Sequence, residues 1–394
     1  MGKKIITKTI ISGSDPKKHF GSINDPIFKN STLIFNNYDE FVEAKKQKFN
    51  KPYYGRINTY TSKRFEKIMC SLYECSNSVL TSSGLSAIAI SLTSFLSNGD
   101  EILITELEHH SNYVPWHYLR KSRGIKIEFA EINQDGEITL ESIEKKINSK
   151  TKLIAVTHLS NVTGAILPVK EITALAHSKN IPVLIDGCQG APHLKIDMQD
   201  LDCDFYAISC HKMYGPTGLG VLYAKRKWLE ELPPYQGGGG MIGEVKKSGI
   251  TYGDLPNKFE AGTMATAQVI AFDESIKFLN KLGIENIMRH EKELLDYGQE
   301  VLRKNNSVRL IGNPKNKGGV LSFTLDGIHP HDIATILDED GVAIRAGHHC
   351  CQILHDKLEI PATARASLGV YNTKDDLDKL NESLNKCKKI FNGK

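Results

Sequence analysis

The sequence predicts an α/β protein, in which a large domain on a mostly parallel sheet flanked by helices is followed by a smaller α+β domain. Three observations carry this expectation. From about residue 78 to 225, short β-branched runs alternate with segments whose apolar residues recur at helical spacing, the pattern of successive βα units. From about Glu285 the order changes to helix, two strands, helix, strand and a closing helix. The chain has 394 residues, enough at about 150 residues per domain for two or three domains and a core that needs no disulfides.

Taken in order, the first sixty residues are irregular and include the aromatic-basic run Tyr53-Tyr54-Gly55-Arg56. Residues 1–60 therefore read as an arm that packs on a partner subunit. Residues 61–282 read as the large domain, with strands expected at Glu101–Thr105, Lys126–Glu131, Lys152–His158, Pro182–Asp186, Phe205–Ser209 and Gly220–Ala224. Helical spacing marks Ser86–Leu96, Leu140–Asn148 and Lys170–Ser178 between them. Glycines at 237–240, then Gly249, Gly253 and Pro256, interrupt the periodicity as a functional loop does, before a helix from Thr266 through Phe278. Residues 283–394 read as the small domain, with strands Val308–Ile311, Gly319–Leu325 and Val342–Arg345 and helices near Asp332–Glu339 and at Lys374–Lys389.

Composition narrows the function. Hydrophobic residues make up 40% and charged residues 24%, with 50 Lys+Arg against 46 Asp+Glu. This interleaved, nearly balanced charge argues against a nucleic-acid partner. No apolar run approaches the roughly 18 residues of a membrane span. The N-terminal segment lacks the apolar stretch of an export signal, so a cytoplasmic location is expected. The eight cysteines are scattered without a C-x-x-C pair, which reads as reduced thiols rather than a disulfide framework. Four adjacent ligands in His348-His349-Cys350-Cys351 cannot readily wrap one tetrahedral metal, and no metal site is expected.

The sharpest local signal runs from Ala207 to Gly220, where an apolar strand delivers Ser209, His211 and Lys212 into a turn. By itself Lys212 reads equally as an exposed turn lysine. A second segment, Ile181 to Gly190, places Asp186 at the C-terminal end of a parallel strand, where open α/β sheets hold ligands; its other reading is a turn carboxylate. Together they have one chemical meaning. A lysine that forms a Schiff base with pyridoxal phosphate needs a carboxylate to keep the pyridine nitrogen protonated. Thr81-Ser82-Ser83-Gly84 before a helical segment adds hydroxyls and small-residue amides suited to a phosphate, or simply a helix cap.

Asp186-Gly-Cys-Gln189, Ser209-Cys-His-Lys212 and Gly215-Pro-Thr-Gly218 resemble the aminotransferase class V family of fold-type-I pyridoxal-phosphate enzymes. Glu108-His-His-Ser-Asn112, Ser160-Asn-Val-Thr-Gly164, Phe259-Glu-Ala-Gly-Thr263, Arg345-Ala-Gly-His-His-Cys350 and Arg365-Ala-Ser-Leu368 are similar, more closely, to cysteine desulfurases of the SufS type. The resemblance runs from about residue 100 to the C-terminus. It implies that Cys350 attacks the substrate sulfur and becomes a persulfide, with Cys351 a neighbour of unassigned role. It also implies that Arg365, with Arg345, binds the substrate carboxylate, and that His109 stacks on the cofactor and moves protons. Asn161, Gln189, Ser209, His211 and Thr263 are implied cofactor ligands beside Lys212 and Asp186.

The first hundred residues differ. Asn30-Ser-Thr-Leu-Ile-Phe35, Tyr53-Tyr-Gly-Arg56 and Ser82-Ser-Gly-Leu-Ser-Ala87 resemble the cystathionine lyases, another branch of the same fold. That likeness implies that Tyr54 and Arg56 reach a neighbour's cofactor phosphate across a homodimer, with Ser82 and Ser83 near the phosphate; the alternative is an arm that only packs on the dimer surface. The expected function is conversion of L-cysteine, and of L-selenocysteine as a second substrate, to L-alanine, with sulfur passed to an acceptor protein for iron–sulfur cluster or thio-cofactor assembly. Two alternatives stand beside it: a C–S lyase forming pyruvate and ammonia, and an inactive cofactor-binding or sulfur-carrier protein.

Overall fold

The computed structural model describes residues 35–47, 69–70, 78–81 and 96–392. Two compact units emerge, one formed by residues 1–94 and 207–282, the other by residues 95–206 and 283–394.

In the first unit, helix α1 (Tyr38–Lys46) starts at Asn37, whose side chain accepts from the Glu40 amide. Strand β1 (Ser78–Thr81) follows.

The second unit carries a parallel sheet. Strand β2 (Glu101–Thr105) is followed by helix α2 (Val114–Arg123), β3 (Lys126–Ala130), β4 (Thr151–Thr157), helix α3 (Val169–Ser178) and β5 (Val183–Asp186). β2 pairs in parallel with β3 and with β4, and β4 with β5. Every residue of β2 and β5 is buried, which explains their nearly unbroken apolar character. The sequence reading did not place α2. It opens on Val114-Pro115, buries Trp116 and Leu119, and ends on Gly124 at φ 67°, a left-handed cap. The helix expected at Leu140–Asn148 stops at Glu144. Asn148 takes a turn instead, accepting from the Lys150 amide and donating to Glu101 at 2.6 Å, the local side-chain bonding that competes with helix.

Strand β6 (Phe205–Ser209) is fully buried and leads into a 3-10 turn at Cys210–Met213. In the first unit β7 (Gly220–Ala224) then pairs antiparallel with β1. The glycine-interrupted stretch read as a loop contains a hairpin of β8 (Ile242–Lys246) and β9 (Gly249–Tyr252). Helix α4 (Thr266–Leu282) runs one turn past the expected end at Phe278.

The second unit resumes with α5 (Ile284–Arg303), β10 (Val308–Leu310), β11 (Val320–Leu325), α6 (Pro330–Glu339), β12 (Arg345–Gly347), α7 (Gln352–Lys357), β13 (Thr363–Ser367) and α8 (Lys374–Asn392). The strands form an antiparallel sheet in the order β10-β11-β13-β12. Leu294, Leu321, Phe323, Ile333, Leu337, Leu380 and Leu384 pack one core between this sheet and its helices. The strand expected at Val342–Arg345 is corrected to Arg345–Gly347. A turn after α6 precedes it, with Gly341 at φ 77° and the Val342 amide bonded back to the Leu337 carbonyl.

Candidate active site

In the second unit, β12 and β13 place Arg345 directly opposite Arg365. Two guanidiniums so paired repel each other. Arg365 is half-buried and donates through Nη1 to the Asn161 carbonyl at 2.9 Å. Burial first, then Arg345, lowers its pKa to about 10. Its Nε is buried without a hydrogen-bond partner among the described residues. Beyond β12 the chain turns through His349 at φ 54° and Cys350 at φ 58°. Cys350 is half-buried, with Sγ 3.5 Å from Arg345 Nη2. Its carbonyl accepts from the His110 amide at 2.7 Å, and the Asn161 side chain donates to the His349 carbonyl at 2.7 Å. Cys350, Arg345, Arg365 and Asn161 are thus brought together.

Cys351 differs sharply from its neighbour. It is fully buried, and its thiol donates to the carbonyls of Leu107 and Glu108 at 3.3 and 3.2 Å. Burial pushes this thiol well up from the ordinary cysteine range, with the Glu108 carboxyl adding to the effect.

Glu108 anchors the ends of β2 and β4. It accepts from Thr105 Oγ1 at 2.6 Å, Asn112 Nδ2 at 2.7 Å and the Thr157 amide at 3.0 Å. Burial raises its pKa to about 8 in spite of these bonds, and the nearby Asp186 pushes the same way. At neutral pH Glu108 is therefore mostly a neutral acid. Asp186 closes β5 as a buried carboxylate whose Oδ1 accepts from the Cys188 amide at 3.0 Å. Nearby, His158 Nδ1 and the Tyr206 hydroxyl are 2.9 Å apart, and burial lowers the His158 pKa to about 4. Gly187 is obligatory here, because a Cβ would lie 1.8 Å from the Tyr206 ring. Gln189 is half-buried just after Cys188, and His109 Nδ1 is 3.0 Å from Ser111 Oγ.

In the first unit, Ser209 is buried at the end of β6, His211 is exposed and Lys212 is half-buried in the 3-10 turn. Thr263 is exposed beside Gly262, whose amide bonds to the Gly239 carbonyl at 2.8 Å. Tyr54, Arg56, Ser82 and Ser83 lie outside the described residues.

Residues the sequence reading did not single out include Glu108, Thr363 and His355. Thr363 Oγ1 lies between His349 Nε2 at 2.8 Å and His355 Nε2 at 3.0 Å. His355 stands four residues after Cys351, the N-cap of α7, and its Nδ1 lies 3.0 Å from the Cys351 carbonyl; that spacing was the available signal.

The family model for aminotransferase class-V matches residues 79–380. The chain belongs to that family. A "Probable cysteine desulfurase" of Halalkalibacterium halodurans is 47% identical over 296 residues, covering 75% of this chain and 73% of the relative. One from Staphylococcus epidermidis is 46% identical, covering 75% and 72%. Among solved structures, the cysteine desulfurase CsdA from Escherichia coli superposes with a TM-score of 0.80 at 32% identity, covering 89% of this chain and 91% of that one. The apo cysteine desulfurase from Thermococcus onnurineus NA1 gives 0.80 at 31%, covering 93% and 94%. The class V fold is that of pyridoxal-phosphate enzymes, and the residues of this chain fit such a cofactor. A buried carboxylate at a strand end, Asp186, suits a protonated ring nitrogen, and a half-buried lysine flanked by Ser209 and His211 suits an aldehyde and a phosphate.

Proposed function

We propose that this class V chain is a cysteine desulfurase of the SufS type, which converts L-cysteine to L-alanine and retains the sulfur as a persulfide on Cys350. The observation that carries this reading is the cross-strand pair of Arg345 and Arg365 beside a half-buried thiol. Like charges directly opposite each other are unfavourable without an anion to share, and a substrate carboxylate and a thiolate are such anions. The identity to relatives named as cysteine desulfurases supports it.

When bound, pyridoxal phosphate supplies an electron sink for the substrate α-carbon. Lys212 would hold it covalently, and Asp186 would pair with its ring nitrogen. His109 would lie against the ring, with Asn161 and Gln189 near its hydroxyl. Ser209, His211 and Thr263 would bind it further, as would Ser82, Ser83 and, from a neighbouring subunit, Tyr54 and Arg56. Lys212 would take the proton from the substrate α-carbon. Arg365 grips the carboxylate through its planar fork. The Cys350 thiolate attacks the substrate sulfur. An S–S bond forms as the carbon–sulfur bond breaks, the electron pair stays with the β-carbon, the proton of the substrate thiol reaches that carbon by way of His109 or Lys212 to give a methyl group, and Lys212 returns a proton to the α-carbon to give alanine.

The proposal includes an arm at residues 1–60 akin to the cystathionine lyases, domains at 61–282 and 283–394, a cytoplasmic homodimer, L-selenocysteine as a second substrate and a sulfur-accepting protein. No helix among the described residues is long and apolar enough to cross a membrane. Product analysis with L-cysteine is the test. Alanine in step with a Cys350 persulfide is expected, whereas pyruvate and ammonia as the main products overturn the reading in favour of a C–S lyase.

A further inference from the structure

Two consecutive non-glycine residues in the left-handed region, His349 and Cys350, cost about 1 kcal/mol or more each. The turn must therefore be held. Asn161 and the His110 amide grip its carbonyls, and His349 Nε2 lies 2.8 Å from Thr363 Oγ1.

The hydrogen positions in this cluster follow from one fixed end. The Cys351 carbonyl can only accept, so His355 Nδ1, 3.0 Å away, carries a hydrogen. His355 is buried and burial lowers its pKa, so the ring is neutral and its Nε2 is a bare acceptor. The Thr363 hydroxyl, 3.0 Å from that atom, gives it its single hydrogen. Thr363 Oγ1 must then accept from His349, which places the His349 hydrogen on Nε2. His349 is also buried, with its pKa lowered to about 3, first by burial and then by Arg365. Its remaining nitrogen, Nδ1, is the one buried without a partner among the described residues. A bare acceptor is more readily left so than an N–H.

We propose that Thr363 and His355 are positioning residues for Cys350. The hydrogen-bond chain from the Cys351 carbonyl through His355 and Thr363 locks His349 in the Nε2–H tautomer and so holds the left-handed turn that presents the Cys350 thiol to Arg345. The inference rests on the reading of Cys350 as the sulfur-accepting thiol, and deepens it.

The test uses the holoenzyme with ¹⁵N-labelled histidine, and iodoacetamide alkylation of Cys350 followed by peptide mass spectrometry at neutral pH. In the wild type, His349 should carry its hydrogen on Nε2. Thr363→Val keeps the shape but removes the hydroxyl. It should give a mixture of His349 tautomers and slow Cys350 alkylation about fivefold, the weight of one hydrogen bond, as Sγ drifts from Arg345. Thr363→Ser, which keeps the hydroxyl, should restore both readouts. A wild-type His349 with its hydrogen on Nδ1 overturns the proposal without any variant. So does a Thr363→Val protein alkylated as fast as wild type or faster. If the wild type makes pyruvate instead of alanine, the desulfurase reading fails while both of these readouts still stand.

Discussion

Lys212 and Cys350 both lie in turns completed by a non-glycine residue of positive φ, Tyr214 at 60° in the first case and His349 with Cys350 itself in the second. The supports of the two turns differ in kind. Around Lys212 those described are backbone bonds and steric contact, with one remote hydroxyl, that of Ser275. The Cys210 amide bonds to the Leu219 carbonyl and the Gly215 amide to the Cys210 carbonyl, while the Tyr214 carbonyl accepts from Ser275. A Cβ on Gly215 would lie 2.5 Å from the Phe272 ring. Around Cys350 the supports are mainly side chains from distant parts of the chain, namely Asn161, Thr363 and His355. A turn held mostly by nearby backbone bonds is less exposed to changes in remote polar side chains than one held by a side-chain network.

The largest effects should come from the two side chains proposed to react, and they should separate the turns by chemistry. Lys212→Ala should lower alanine formation on the order of a thousandfold, together with loss of the borohydride-reducible cofactor adduct. Cys350→Ala should lower it on a similar scale while the cofactor absorbance survives and persulfide labelling disappears. Loss of cofactor absorbance in Cys350→Ala would mean that the two turns are not independent in function.

Next in size is Gly215→Ala. A methyl 2.5 Å from Phe272 and 2.7 Å from the Cys210 carbonyl should cost about 1–3 kcal/mol by overpacking, read as a lower denaturant midpoint at unchanged slope. A variant as stable as wild type would show that the lysine turn yields easily, and that the steric half of the comparison is wrong.

This difference also explains what was legible in the sequence. The lysine turn could be read because its determinants are contiguous: an apolar strand, Ser209 to Lys212, then Gly215-Pro-Thr-Gly218. The parallel strands could be read for the same reason, since burial on both faces writes a mostly apolar run into β2, β4 and β5. Cys350 is proposed through the resemblance of the local segment Arg345 to Cys350, which says nothing of the distant side chains that hold its turn. Thr363 lies in β13, Thr-Ala-Arg-Ala-Ser, a strand with too few β-branched or aromatic residues to announce itself. Glu108 is one of many carboxylates in the sequence. Burial, opposed by the bonds from Thr105, Asn112 and the Thr157 amide, raises its pKa to about 8, and that environment is assembled across 49 residues of chain.

The smallest effect tests whether two adjacent thiols divide as their surroundings imply. Cys351→Ala removes a buried sulfur with two weak bonds to carbonyls, a loss of about 1 kcal/mol, detectable as a small drop in the denaturant midpoint. Because burial keeps this thiol protonated, it supplies no thiolate, and persulfide labelling should stay on Cys350 at close to its wild-type extent. The neighbouring Cys350 has what Cys351 lacks, partial exposure and a guanidinium 3.5 Å away. Loss of the label in Cys351→Ala, with the fold intact, would move the nucleophile one residue along the chain and leave the paired arginines facing the wrong thiol.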